Sequence, residues 1–475
     1  MTKRLEQVIF CGLLVAVVFT ALAHGAVEAW SLAIFELLII LLVFLWGLRA
    51  VIRKELTLRV PRIVFPLVTL CLFGLVQSLN FTDNAGQLHS LSMNVEATRH
   101  AVTVLIILLL ALLLATNFLI HRQQLTSVAM FLTVYGLVMA MFGLIQHFAW
   151  NGRFYWWRQT TDLVTSPYGP FVAHNHFAGY LELLLPIPIA LVVTRAGRIE
   201  TRIFYLFCAA MMGGAALASL SRGGFISLFV ELVFLAVMAF FLPAKQSASK
   251  SKRRSSARSH RLAKIGSPLA AVLVTVLAIG ASIYWIGLEP VLSRIAKGQI
   301  VSDSSPEESF FVSRGWIWRD TYSMIKAHPF TGVGLGAYET AFPVYSQSDG
   351  SLLVGQAHND FLQIIAEVGV LGGILALWFL ILVVRQAWRG MRLSDPMLAG
   401  LSLGGGASIV GMAVHSLFDF NLQLPSHALL LLLLSAIVSQ ASLHAVTPAT
   451  PTTRTLEPLH DLVVNPVGKH QESAL

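Results

Sequence analysis

One histidine in the chain combines the chemistry of a general base with a defined position. His358 stands in QAHNDFLQ, residues 356–363, directly before an apolar segment. A neutral imidazole accepts a proton from a hydroxyl near neutral pH. Residues 360–363 have the D-x-x-Q form of a capping box, so we predict that a helix starts there and holds His358 at its end. The alternative is an interfacial histidine that only caps or solvates the helix end.

Small residues permit close helix packing, and the apolar segment after His358 carries them on one helical face at Gly369, Gly372 and Gly373.

Two arginines are candidate sites for an anion, and a third lies near one of them in the sequence. Arg222 stands in SLSRGG, between two apolar segments with almost no loop around it. A charge at a membrane edge is costly and usually faces the protein interior or a cavity, and a guanidinium fits phosphate oxygens. We therefore predict that Arg222 faces an anion; the alternative is a side chain that only extends to the interface and fixes topology. Arg314 and Arg319 lie in SRGWIWRD, within a long polar stretch.

A further polar cluster precedes another apolar segment. It reads VAHNHF and contains His174, Asn175 and His176. Two histidines two residues apart, with no carboxylate at ligand spacing, make a poor metal site. We predict neither a metal nor a cofactor for this chain. The glycine-rich GVGLG, residues 332–336, lacks the strand-and-helix context of a nucleotide loop, and we predict a tight turn there.

The aromatic run RFYWWRQ, residues 153–159, has two interpretations. Trp and Tyr are enriched where a chain leaves the membrane, so an interfacial aromatic belt is favoured. A platform on which a sugar stacks is the alternative.

Membrane helices are the elements that must position these residues. The chain has 475 residues, of which 56% are hydrophobic and only 12% are charged. A soluble domain carries about twice that charged fraction. Residues 101–120 contain no charge, and about 20 apolar residues suffice to cross a bilayer. The composition predicts an all-α, polytopic integral membrane protein.

Hydropathy predicts about twelve transmembrane helices and one large external loop. The loop spans about 288–360, between the ninth and tenth helices. The predicted helices lie near 8–26, 29–48, 63–80, 101–120, 125–148, 176–194, 203–220, 224–242, 267–287, 361–384, 398–418 and 425–443. The sequence TALAHGA, residues 20–26, also fits a signal-peptide cleavage site, but we expect the first helix to be retained.

Basic residues orient these helices. The N-terminal MTKR is positive, which places it in the cytoplasm, and most Lys and Arg residues then fall on the cytoplasmic side. Residues 244–264 form the densest basic run, which predicts a cytoplasmic loop in contact with anionic lipid. A nucleic-acid-binding segment is the minor alternative, and we predict no nucleic-acid partner. This topology places Arg222, His358 and the large loop outside.

These separated motifs resemble, in order, those of the O-antigen ligase superfamily, which also includes the Wzy-type O-antigen polymerases. The family's histidine motif is a histidine, then Asn, Ser or Gln, then nine residues, then Gly-x-x-Gly. Four residues match it: His358, Asn359, Gly369 and Gly372. The motif often continues Thr-x-Gly, where this chain reads Gly-Ile-Leu at 373–375. That departure argues against the lipopolysaccharide ligase branch more than against the superfamily.

Two further segments carry the resemblance, which is strongest over about 166–375. SRGG resembles the family's arginine at the outer membrane edge. RGWIWRD, followed by HPFTGVGLG, resembles the family's loop arginine and its His-Pro-x-x-Gly-x-Gly turn. The implied division is N-terminal helices over 1–165, a ligase-like catalytic core over 166–384, C-terminal helices over 385–445 and a disordered cytoplasmic tail over 446–475.

The resemblance implies a glycosyltransferase of the ligase or polymerase type. Such an enzyme transfers a glycan from an undecaprenyl diphosphate carrier to an acceptor hydroxyl, with inversion and without a metal, at the periplasmic face of a bacterial inner membrane. His358 would be the base, and Arg222 and Arg314 would bind the diphosphate. Supporting roles fall to Asn359, Gly369, Gly372, Arg319, His174 and Asn175. The implied partners are the lipid-linked donor, a glycan or lipid A–core acceptor and membrane lipid.

The alternative transferase functions differ in the molecule that accepts the glycan. Transfer to lipid A–core is ligation, which we favour, transfer to a second repeat unit is polymerisation, and transfer to protein is a third choice. A transporter or flippase for lipid-linked glycans is the non-enzymatic alternative, ahead of a purely structural membrane partner. Transporters often contain repeated halves with broken helices in matching positions, and the sequence has no such repeat.

Overall fold

The computed structural model describes residues 1–82, 88–159, 167–242, 310–347 and 353–444. Helices account for almost all regular structure in these ranges. A short antiparallel ribbon pairs β1 (Asn80–Thr82) with β2 (Leu88–Ser90). The predicted ninth span, the basic run at 244–264 and the tail at 446–475 lie outside the described residues.

Fifteen α-helices occur in the described residues. The first nine are α1 (Thr2–Leu22), α2 (Ala29–Arg53), α3 (Val64–Gln77), α4 (Val95–Phe118), α5 (Arg122–Phe148), α6 (His174–Leu184), α7 (Pro186–Val193), α8 (Ile199–Ala218) and α9 (Arg222–Ala239). The others are α10 (Phe310–Ala327), α11 (Tyr338–Tyr345), α12 (Asp360–Val368), α13 (Val370–Gly390), α14 (Pro396–His415) and α15 (Pro425–Leu443).

Ten helical segments of the described residues are long and apolar enough to cross a membrane. They are α1, α2, α4, α5, the α6–α7 pair, α8, α9, α13, α14 and α15, and α3 is a shorter apolar helix. Pro186 opens α7 and divides the α6–α7 span, because proline cannot donate the backbone hydrogen bond that a continuous helix needs. The prediction of an all-α, polytopic membrane protein is confirmed.

The centre of the bundle is formed by α7, α14 and α15. Small residues on α14 let these helices approach closely. A Cβ atom added to Gly404 would lie 2.9 Å from the backbone of α7 at Ile187, and one added to Gly400 would lie 2.9 Å from the side chain of Leu191. Glycines are therefore needed where α14 crosses α7.

Contacts between loops define two ends of the bundle. At one end, the Gln77 side chain donates to the carbonyl of Thr331 at 2.7 Å, and Arg158 pairs with Glu28 at 2.7 Å. This end, called the site face below, carries residues 23–28, 78–82, 88–94, 149–159, 167–173, 219–221, 328–337, 353–369 and 416–424. At the other end, Asn117 bonds the backbone of Arg59. His358 and Arg222 lie on the same face, as the predicted topology requires.

The helix after His358 starts at the predicted position but has a different cap. Asn359 has an extended backbone, and its side-chain oxygen accepts from the backbone N–H groups of Phe361 and Leu362, both at 3.0 Å. Asp360 is already inside the first turn. Its carboxylate turns toward α14, where it accepts a 2.7 Å hydrogen bond from Ser416. The predicted capping box is therefore wrong, because Asn359 and not Asp360 occupies the N-cap position.

The prediction that three glycines share one helical face is also wrong. Gly369 has φ 72° and ψ −166°, and it breaks the chain into α12 and α13. A Cβ at Gly369 would lie 2.6 Å from the carbonyl of Phe330, and one at Gly372 would lie 2.5 Å from the carbonyl of Ile364. These glycines therefore let a neighbouring turn and α12 pack at the break, where any larger residue would collide with backbone.

Candidate functional site

His358 is held at the site face by its own two neighbours. The Asn359 side chain donates to the carbonyl of Leu417 at 3.1 Å, and the backbone N–H of Asp360 donates to the carbonyl of Ser416 at 2.9 Å. His358 has a left-handed backbone with φ 50°, a strained conformation for a residue with a Cβ. The strain persists because the residues that follow it are fixed on the loop after α14.

Asp419 is the partner of the His358 imidazole. Its Oδ1 lies 3.4 Å from Nδ1 of His358, and its side chain is 3% exposed. Burial raises the pKa of Asp419, but the hydrogen bond with His358 and the charge of Arg314 contribute to an opposing effect that holds it below its ordinary value. An ionised Asp419 favours the tautomer with the proton on Nδ1 and leaves Nε2 to accept one. The His358 side chain is 33% exposed, so it is open to a substrate.

Arg314 reaches the same loop from α10. Its guanidinium donates to the carbonyl of Phe418 and lies 3.9 Å from Oδ2 of Asp419. The side chain is 11% exposed. Burial lowers the pKa of Arg314, and the negative charge of Asp419 opposes that shift. The structure thus brings Arg314 and His358 together around one carboxylate, although 44 residues of sequence separate them.

Arg222 begins α9 beside this cluster. Ser221 caps the helix by accepting from the backbone N–H of Gly224 at 3.1 Å. A Cβ at Gly223 would lie 3.1 Å from the ring of His415 and 3.4 Å from Cβ of Phe418. The start of α9 therefore packs on the loop that holds Arg314 and His358. Gly223 allows this close approach, whereas Gly224 packs on Glu182 and Ala178 of α6.

The histidines at the start of α6 reach the site through one aromatic ring. Phe420 lies edge-on to His358 and to His176, with ring centroids 4.9 Å apart in both pairs. The contact to Phe420 is made by His176. The predicted supporting residues His174 and Asn175 precede it in the first turn of α6.

Arg319 takes a different position from Arg314. Its side chain is 56% exposed and pairs with the adjacent Asp320 at 2.9 Å. The contacts described for Arg319 do not join it to His358. These contacts give no support for the predicted supporting role of Arg319.

A buried polar group lies behind the cluster, inside the bundle. His415 Nδ1 lies 2.9 Å from Oε2 of Glu182, and Ser227 donates to the same carboxylate oxygen. A Cβ at Gly224 would lie 2.9 Å from the other oxygen of Glu182. This group joins α6, α9 and α14, and so fixes the start of α9 against the end of α14.

The sequence prediction missed Asp419, His415 and Glu182. The available signal was HSLFDFNLQ, residues 415–423, a polar stretch between two predicted spans. Polar residues directly after a membrane span whose end lies near His358 in the fold are candidates for the partner of His358. No described group of three or more His, Cys, Asp or Glu side chains is arranged to hold a metal ion.

An apolar cavity of about 550 Å³ opens beside the site. Aliphatic residues of α3, α4, α13 and α15 form its walls, among them Leu67, Val104, Leu375 and Leu431. At the site face its lining turns polar, with Gln356, Asp360 and Gln423. Asp360 follows His358 by two residues, so the chain segment that carries the imidazole passes the polar end of this cavity.

Fold and site together define a multi-pass, all-α membrane protein with a histidine, aspartate and arginine cluster at one face. Residues 207–377 match the family model Wzy_C, described as O-antigen ligase. The match includes Arg222, Arg314 and His358, and it confirms the resemblance to the O-antigen ligase superfamily. The matched segment supports a glycan-processing enzyme of the ligase or polymerase type. No curated protein matches the chain.

Proposed function

We propose that this protein transfers a glycan from an undecaprenyl diphosphate carrier to an acceptor hydroxyl, with inversion and without a metal. The supporting observation is the cluster of His358, Asp419 and Arg314 next to Asp360, which lines the polar end of an apolar cavity. The cluster lies within residues 207–419, most of which fall in the matched segment.

The proposed step is a single displacement at the anomeric carbon. The acceptor oxygen forms a bond to that carbon as the carbon–oxygen bond to the diphosphate breaks. His358 Nε2 takes the proton of the acceptor hydroxyl, and the diphosphate leaves with the bonding electrons. Attack from the side opposite the leaving group inverts the anomeric configuration.

Arg222 and Arg314 would neutralise the charge that grows on the leaving diphosphate. Guanidinium groups held in place before the reaction stabilise such charge without reorganisation. Arg314 is buried against Asp419 and cannot move far, whereas Arg222 is partly exposed at the start of α9. We assign Arg314 the fixed contact and Arg222 the contact nearer to solvent.

Asp419 is a positioning residue in this scheme. Its carboxylate holds Nδ1 of His358 and stabilises the imidazolium that forms when Nε2 is protonated. Asn359 has a second positioning role, because its side chain caps α12 and bonds the carbonyl of Leu417.

The apolar cavity would hold part of the polyprenyl chain of the donor. Its volume of about 550 Å³ and aliphatic lining suit a hydrocarbon chain, and its polar end is lined by Asp360, two residues after His358. A donor bound in this way would present its diphosphate at the membrane edge, which we place at the periplasmic face of an inner membrane.

The acceptor is proposed to be lipid A–core, with a second repeat unit or a protein as alternatives. The lipid-linked glycan pool of a deletion strain separates the first two. Accumulated long chains are expected for a ligase, and accumulated single repeats would reassign the protein as a polymerase.

The central test is His358→Ala in the purified full-length protein, with the exposed His89→Ala as the control. Loss of a positioned base costs about 100- to 10,000-fold in rate. The His358 variant should bind undecaprenyl diphosphate normally but transfer almost no glycan, and the control should retain activity. Wild-type turnover should survive excess EDTA. Near-normal turnover of His358→Ala would exclude His358 as the general base. Loss of wild-type activity in EDTA, with rescue by magnesium, would show that the transfer depends on a metal.

A further inference from the structure

A second cavity of about 380 Å³ lies on the other side of the cluster. Its lining includes His24, Glu28, Phe154, Arg158, His176 and Phe420. Phe420 is the ring that contacts His358, so one aromatic side chain separates the imidazole from this cavity. Nothing in the step described above uses Glu28, Arg158 or His24.

The two cavities share a thin partition. Val27 lines both of them. On the other chain segment, Leu424 faces the second cavity while Leu422 and Pro425 face the apolar one. Segments 26–28 and 420–425 therefore divide the site face into an apolar compartment and a polar one. His358 lies beside both, because Asp360 lines the first and Phe420 lines the second.

The second cavity carries polar groups whose charges balance. Arg158 pairs with Glu28 at 2.7 Å, and both side chains are about one-third exposed. Nδ1 of His24 is buried and has no hydrogen-bond partner among the described residues. Burial lowers the pKa of His24, and the positive charge of Arg158 adds to that effect, which favours the neutral imidazole. A neutral, hydroxyl-bearing ligand fits this lining, since Glu28 would repel an added anion.

Aromatic rings form the remaining wall. Phe154 is fully buried and packs on His24, with ring centroids 4.5 Å apart and the rings tilted by 54°. Trp157, three residues later, is 72% exposed. Within the aromatic run, Trp157 therefore faces outward, as in an interfacial belt, and Phe154 is enclosed in the wall. The half-buried ring in the lining is Phe420. An apolar ring beside paired hydrogen-bonding groups matches a sugar, which has C–H faces as well as hydroxyls.

We propose that this second cavity binds the terminal saccharide of the acceptor, with sugar hydroxyls on Arg158, Glu28 and His24 and a C–H face on the half-buried ring of Phe420. The inference rests on the proposed function, which it deepens by giving the acceptor its own compartment. The donor chain then occupies the apolar cavity, the acceptor sugar occupies the polar one, and His358 stands where the two meet.

Two variants test the cavity in the purified full-length protein. Val172 lines the cavity and is 50% exposed, so Val172→Trp fills the space from its mouth at little cost to folding. Val344→Trp is the matched control, since Val344 is 67% exposed and lines neither cavity. Arg158→Gln removes the hydroxyl-binding guanidinium, with the exposed Arg153→Gln as its control.

Each variant is measured in three ways. Binding of lipid A–core oligosaccharide and of a single-repeat oligosaccharide is measured without donor, which also separates the two sources of acceptor sugar. The affinity for undecaprenyl diphosphate and the acceptor KM complete the set. We expect both cavity variants to weaken oligosaccharide binding and raise the acceptor KM at least tenfold, with donor affinity within twofold of wild type.

The outcomes separate this inference from the proposed function. Unchanged oligosaccharide binding in both cavity variants, or an equal loss of donor affinity, would overturn the acceptor cavity while leaving the transferase intact. If the cavity variants lose oligosaccharide binding but the wild-type protein transfers no glycan from the carrier, the acceptor cavity is supported and the proposed transferase activity is excluded.

Discussion

His358 illustrates how much structure one side chain requires. Three consecutive residues attach this part of the chain to the loop after α14: His358 meets Asp419, Asn359 meets Leu417, and the backbone of Asp360 meets Ser416. Asn359 caps α12 with the same side chain. An asparagine after the histidine therefore has a physical explanation, because it supplies an acceptor for the helix and a donor for the loop.

The arginines give a prediction at this scale. A lysine keeps the positive charge but loses the planar fork that binds two oxygens at once. We expect Arg222→Lys and Arg314→Lys each to weaken donor binding and lower turnover at least tenfold. Arg314→Lys should have the larger effect, because Arg314 also bonds the loop at Phe418. Transfer rates and affinity for undecaprenyl diphosphate measure both effects.

Arg319→Lys is the matched control for the arginines. This residue lies on the same helix as Arg314, but it is exposed and pairs with its neighbour Asp320. Its substitution should leave transfer close to wild type. Full turnover and donor affinity in Arg222→Lys and Arg314→Lys would exclude a diphosphate clamp.

Sequence reasoning found the residues with distinctive chemistry but not their partners. His358, Arg222 and Arg314 were identifiable because a charged or titratable side chain beside an apolar segment needs an explanation. Asp419 lies 61 residues after His358, beyond two membrane helices. Their contact depends on how α12 packs against the end of α14, and no local pattern records that packing.

Among the elements, the break between α12 and α13 has the clearest cause. Gly369 combines a left-handed φ with a backbone approach that leaves no room for a Cβ. Gly332, in the turn that packs there, has the same property, since an added Cβ would lie 2.2 Å from the carbonyl of Glu367. The predicted tight turn over 332–336 and the glycine motif after His358 therefore pack against each other.

Local patterns therefore singled out the glycines after His358 but predicted the wrong structural role for them. A helical repeat placed Gly369, Gly372 and Gly373 on one face, which assumed an unbroken helix. The positive φ at Gly369 ends that helix, and the start of α13 lies on α12 instead of on another membrane helix. Spacing cannot distinguish a packing glycine from a glycine that breaks the chain.

The docking of α12 on the loop after α14 predicts a pH effect on stability. Burial raises the pKa of Asp360 from 3.8 to about 7, although hydrogen bonds from Ser416 and the backbone of Leu422 oppose the rise. Between these two values the unfolded chain has lost a proton that the folded protein keeps. The contribution of Asp360 to stability therefore falls as pH rises from about 4 to about 7.

Asp360→Asn removes this titration. The melting temperature of the variant minus that of wild type should rise with pH over this interval and level off above it. Thermal scans of the detergent-solubilised proteins between pH 4.5 and 8.5 measure the difference. Glu339→Gln, which changes an exposed carboxylate on α11, is the control. A difference for Asp360→Asn that stays flat across this range would show that its ionisation is not linked to folding.

At the scale of the whole molecule, composition was a reliable guide. Each predicted span within the described residues coincides with one helix or, at 176–194 and 361–384, with two consecutive helices, and only the span at α3 is too short to count among the ten candidates. Apolar length is a property of local sequence, so hydropathy detects it. The order in which the helices pack is not local, and neither cavity was predicted, because each is formed by segments distant in sequence.

Sidedness of the whole molecule gives the last prediction. The site face carries His358 and both cavities, and the distribution of Lys and Arg predicts that this face lies outside the cytoplasm. Val344 lies on α11, which directly follows residues 328–337 of the site face, and Leu56 follows α2 at the opposite end; they are 67% and 66% exposed. In a variant without native cysteines, an impermeant maleimide applied to spheroplasts should label Val344→Cys and not Leu56→Cys. Permeabilised cells should give labelling of both. The reverse pattern would place the proposed transfer at the cytoplasmic face, where the periplasmic assignment and the topology would both fail.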